Sequence, residues 1–115
     1  MFFTKEERVA QKVDENTTRI LLAHGSGLMN ALIIFEKGQD PDQPILLHRH
    51  QHVQTTYVLQ GKFKFVIDEP DNYQEKIVQQ GDAIYFPSDV LHGCLPLTDD
   101  ARLLDSFTPE REDFL

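Results

Sequence analysis

An antiparallel all-β fold, closed into a barrel or jelly roll, is what this sequence predicts, and three observations predict it. After Asn16, short runs rich in Ile, Leu, Val, Phe, Tyr and Thr alternate with turn residues. The stretch from Lys62 to Asp68 has a two-residue period, with Phe63, Phe65 and Ile67 on one face and Lys62, Lys64 and Asp68 on the other. Val66 alone breaks it. Finally, 115 residues are one domain's worth, so a sheet this small must bury its apolar face by closing on itself or on a second sheet.

The elements follow in order. Thr4 before Lys5-Glu6-Glu7 resembles a helix N-cap with acids in the first turn, so a short N-terminal helix is expected. Strands are expected at Thr18–His24, Leu28–Glu36, Ile45–His50, Thr55–Gln60, Lys62–Asp68, Gln74–Gln79, Asp82–Phe86, Leu91–Leu95 and Ala101–Phe107. Gly25-Ser26-Gly27, Gln60-Gly61, Pro70-Asp71-Asn72 and Gln80-Gly81 supply the turns between them. No repeat or low-complexity stretch interrupts the pattern, so residues 1–115 read as a single domain.

Composition narrows the function. Lys plus Arg total 11 against 19 Asp plus Glu, a formal net charge of -8, which disfavours nucleic-acid and membrane-surface binding. The single cysteine, Cys94, excludes an internal disulfide framework and suits a reducing compartment. Lys5, Glu6, Glu7 and Arg8 stand where a signal peptide needs its apolar stretch, so a cytoplasmic location is expected.

The chemistry concentrates at histidines. In a strand His48 and His50 would present two imidazoles to one side, and His92, from a distant strand, could add a third to a single divalent metal. An H-x-H pair by itself is a weak signal, often only a solvated edge. The wider spacing is stronger. His48-Arg49-His50, three residues, Gln54, six residues, Gly61, and then Gly81, five residues, Pro87, four residues, His92, resembles the two signature motifs of the cupin superfamily. Gln54 replaces the usual glutamate, and Asp89 and Pro96 replace the usual glycine and asparagine of the second motif. The histidine pair, Gln54 and Tyr57-Val58-Leu59-Gln60-Gly61 resemble the KdgF-type cupins of pectin and alginate catabolism. So do Met1-Phe2-Phe3, the run Gly81 to Ser88, and the ending Asp105 to Leu115. The resemblance covers essentially the whole chain.

It implies a single-domain cupin jelly roll (a double-stranded β-helix) with His48, His50, Gln54 and His92 as metal ligands. A neutral carboxamide leaves the dication charge uncompensated and the ion a stronger Lewis acid. The ion expected is one divalent transition metal: Zn, Ni, Fe, Mn or Cu. The implied reaction converts 4,5-unsaturated uronate monosaccharides to linear 5-keto-4-deoxyuronate. The substrate is thus a small anionic sugar. Asp105 and Phe107 match functional positions of the family and share a face of the last expected strand. They are assigned as general acid/base and as the apolar wall against the sugar. Arg111 fits a bidentate carboxylate clamp, with Arg49 or Arg102 as further cations.

Each assignment has a plainer rival. The histidines can line a polar mouth without metal, Asp105 can be solvated, Phe107 can be core, and Arg111 can pair with Glu110, Glu112 or Asp113. His52 reads as lying beside the ligands or facing solvent, with direct ligation as the alternative. His24 reads as structural, and Cys94 as a small buried residue, with the cavity as its alternative. The rival functions are a metal-dependent cupin oxygenase and a non-catalytic sugar-binding module. A homodimer covering strand edges or the apolar Met1-Phe2-Phe3 is also expected.

Overall fold

The computed structural model describes residues 1–115. Nine antiparallel strands form two sheets: β1 (Ala10–Lys12), β2 (Thr17–Gly25), β3 (Leu28–Phe35), β4 (Val53–Gln60), β5 (Lys62–Glu69), β6 (Asn72–Gln79), β7 (Ala83–Phe86), β8 (Leu91–Pro96) and β9 (Ala101–Thr108). The larger sheet runs β1-β2-β3-β9-β4-β7 and the smaller β6-β5-β8. This is the expected all-β jelly roll.

The sheets face one another across a core drawn from alternate residues of each strand. Met29, Ala31 and Ile33 on β3, Val58 on β4, Phe86 on β7, and Ala101, Leu103 and Phe107 on β9 meet Phe63 and Phe65 on β5 and Val78 on β6. Glycines act where the backbone demands them. Ser26 (φ 51°) and Gly27 (φ 85°) form a two-residue turn between paired Gly25 and Leu28. Gly61 (φ 81°) turns β4 into β5 so tightly that a Cβ would lie 2.3 Å from Thr98 Oγ1.

Two expectations are corrected, and two elements are added. Residues 45–50 are not a strand: they run as an extended strap with one β-bridge, His48 to His92. The strap lies outside the smaller sheet, over Val66 and Gly93, which face each other in the β5–β8 register. That cover is why Val66 is apolar on what looked like the polar face. The opening helix shrinks to one 3-10 turn, Lys5–Glu7, because nothing buries it. Two short elements were not foreseen: β1, with all three residues exposed, and a second 3-10 turn at Glu112–Phe114, anchored by buried Phe114.

Candidate metal centre and cavity

β4, β8 and β9 bring the chemistry to one place. Across the larger sheet Gln54 pairs with Phe107 and Thr56 with Asp105, so all four side chains share the inner face. Opposite, His92 and Cys94 point inward from β8. The expectation that Asp105 and Phe107 share a face holds. The strap closes the end, its His48 backbone exchanging two 2.9 Å hydrogen bonds with His92. One ring nitrogen from each of His48, His50 and His92 lies within 4.8 Å of the other two. The convergence comes from the strap's path rather than from a pleat.

The hydrogen bonds fix which nitrogens are bare. The Nδ1–H of His92 donates to the Val90 carbonyl (2.9 Å), leaving Nε2 a lone pair, buried and without a partner. The His50 Nδ1–H likewise donates to the His52 carbonyl (2.9 Å). In the neutral ring the His50 Nε2 is then an acceptor, yet it stands 3.1 Å from the Gln54 Oε1, another acceptor. Acceptors facing one another with no proton between them are what a cation site requires. Three imidazoles and a carboxamide oxygen therefore fit a divalent transition ion. Burial is the main cause that lowers the His92 pKa to about 4, and it also lowers that of His48. Both rings are thus neutral and metal-competent at neutral pH.

Beside this cluster is a cavity of about 180 Å³, lined by His48, Gln54, Thr56, His92, Cys94, Asp105, Phe107, Arg111 and others. That is smaller than sites for drug-sized ligands and suits a single small ring. Asp105 accepts a 2.7 Å hydrogen bond from the Thr56 hydroxyl, which in turn accepts one of 2.8 Å from Gln54 Nε2. Burial pushes the Asp105 carboxyl up to about 6, against the opposing effects of Thr56, Arg111 and Gln54. A carboxylate there exchanges protons near neutral pH.

Arg111 reaches the cavity while pairing with Asp113 (2.9 Å), the rival the sequence allowed. Its guanidinium lies 5.5 Å from the Phe107 ring centre and 4.4 Å from that of Phe114. The further cation is neither Arg49 nor Arg102: Arg49 is exposed, and Arg102 is turned to Asp100. It is Arg19 on β2, which lines the cavity and lies 3.7 Å from the ring centre of Phe114. Sequence reasoning missed it, although Thr17-Arg19-Leu21 has the alternation that turns a residue inward.

The lesser candidates separate cleanly. His52 stands outside the three-histidine cluster, its ring edge-on to His50 at 5.6 Å and its Nδ1 buried without a partner. His24 is structural, bonded to Glu110 (2.7 Å) and stacked on Phe3. Cys94 takes the cavity alternative, with its thiol pushed up to about 12, chiefly by burial, and so inert.

The chain is similar to known proteins. The family described as cupin domain matches residues 31–107. The pectin degradation protein KdgF of Dickeya dadantii (strain 3937) is 29% identical over 115 residues, spanning 99% of this chain and 97% of that protein. KdgF from Halomonas sp. superposes with a TM-score of 0.84 at 30% identity, covering 100% of this chain and 98% of the other. An RmlC-like cupin from Shewanella frigidimarina NCIMB 400 gives 0.84 at 31% identity, covering 99% and 95%.

Proposed function

The chain belongs to the cupin domain family and is a KdgF homologue, and on that premise we propose that it opens and ketonises 4,5-unsaturated uronate monosaccharides, residues 1–115 acting as one domain. The observation that carries this reading is Asp105: a part-buried carboxyl titrating near neutrality, on the wall of a monosaccharide-sized cavity, beside the three-histidine cluster. The reaction is an isomerisation. A base takes the proton of the anomeric hydroxyl, the C1–ring oxygen bond breaks as the C1 carbonyl forms, and the ring oxygen departs as an enolate. Protonation at C4 then gives the 5-keto sugar with no atom gained or lost.

Asp105, which lines the cavity, takes the first proton in this reading and returns one to C4. Phe107 and its neighbours exclude water from the apolar edge of the sugar. Arg111 and Arg19 supply positive charge for the substrate carboxylate, which the net charge of -8 would otherwise repel. His48, His50, Gln54 and His92 would hold the metal ion, which supplies Lewis-acid stabilisation of negative charge on oxygen. The neutral Gln54 leaves that charge undiminished. We also place the protein as a homodimer, a reading that a monomeric sedimentation profile at micromolar concentration would end.

The test uses an unsaturated uronate monomer, made with a lyase, and follows loss of its C4=C5 ultraviolet absorbance over the spontaneous rate. Wild type is expected to outpace the blank clearly. Asp105→Asn should lose about 100-fold or more while remaining folded and metal-bound. A wild-type rate equal to the blank, with metal bound, would sink the reading. Oxygen uptake and ligand-binding screens would then follow.

A further inference from the structure

Thr56 is almost fully buried on the inner face of β4, between a candidate ligand and the candidate base. No role was expected of it. Its hydroxyl has one proton and two neighbours, and the arithmetic of that proton reaches the metal centre. An ionised Asp105 carboxylate can only accept, so the Thr56 proton goes to Asp105 Oδ1 (2.7 Å). With its proton spent, the hydroxyl can only accept from Gln54, at 2.8 Å. The Gln54 NH2 must therefore face Thr56. Its carbonyl oxygen, the one atom of a carboxamide able to bind a metal, must face His50. With the amide turned over, two acceptors would compete for one proton at Thr56, while the NH2 would cap the His50 Nε2.

We propose that Thr56 is a positioning residue whose hydroxyl, committed to Asp105, holds the Gln54 amide with its oxygen toward His48, His50 and His92. This rests on the reading that these four residues bind the metal. Without the hydroxyl, only the lesser attraction of Asp105 opposes the amide's turning its NH2 onto the bare His50 nitrogen. The pocket then satisfies itself and competes with the ion. Partners that orient metal ligands are typically worth about 10–100-fold in affinity.

Calorimetric titration of metal-free protein with Zn²⁺ at pH ~8, where carboxyls are ionised, tests this. Thr56→Val should bind about 10–100-fold more weakly than wild type, and Thr56→Ser should bind like wild type. In a Gln54→Ala background, already weakened, Thr56→Val should add no further loss, because the amide it orients is gone. If the valine variant loses its circular-dichroism signature, Thr56→Ala removes the same hydroxyl and takes its place. Wild-type affinity in a folded variant lacking the hydroxyl overturns the proposal and leaves the ligand set standing. So does a loss that adds in full to that of Gln54→Ala. Wild type that takes up no Zn²⁺ overturns the ligand set and the proposal together.

Discussion

Asp105 and His92 face the same cavity with opposite protonic demands. Burial raises the Asp105 carboxyl from 3.8 to about 6 and lowers the His92 imidazole from 6.5 to about 4. The folded acid holds its proton longer than the unfolded one. Its contribution to stability is therefore fully present below pH 3.8 and lost as pH rises through about 6. The folded imidazole refuses its proton, so its contribution is fully present above pH 6.5 and lost as pH falls through about 4. Each is about 3 kcal/mol in magnitude, and the slopes oppose one another over the same window. In chelator, Asp105→Asn should expose the histidine limb. Its stability should climb by about 3 kcal/mol relative to wild type between pH 4 and 6.5, read by urea midpoints. Parallel profiles would mean that Asp105 titrates as an ordinary surface acid. At this scale the histidines, Gln54, Asp105, Phe107 and Arg111 were legible from spacing and resemblance. Thr56 was not, because a threonine in a strand reads as β propensity until its two neighbours are known.

At the scale of elements, the sequence was clearest where strands are buried on one face and least clear at the strap. Ile45–His50 has strand composition, yet Ile45 and Leu47 cover the outside of β5 and β8 instead of pairing in a ladder. Gly93 makes that cover possible. A Cβ there would meet the Leu46 carbonyl oxygen at 2.6 Å, Ile45 Cγ2 at 2.9 Å and Leu47 Cδ2 at 3.1 Å. Since the nearest atom is backbone, Gly93→Ala must push the strap, and His48 with it, away from His92. The expected cost is about 1–3 kcal/mol in thermal or urea unfolding, with weaker metal binding. Gly25→Ala, which meets nothing within 4 Å, is the control and should leave both unchanged. Equal effects of the two substitutions would mean that the strap does not depend on close approach.

For the whole molecule, a net charge of -8 and a cationic cavity wall coexist because the two arginines that face inward are held there by Phe114. No helix is long and apolar enough to cross a membrane. The two-layer architecture was legible in the alternation of β5 and the spacing of the turns. What a linear reading could not supply was which layer each candidate ligand belongs to. Gln54 belongs to the larger sheet, His92 to the smaller, and His48 and His50 to a strap outside both. An ion held by all four is thus a cross-link as well as a cofactor. It rivets two layers and closes the 44-residue span from His48 to His92. By the loop-closure argument used for disulfides, such a tie is worth about 4 kcal/mol to the folded state. The melting temperature should accordingly fall on chelation and rise with added metal beyond saturation, while His92→Ala should melt alike with and without the ion. The same four side chains would then decide whether the two sheets part together or one at a time.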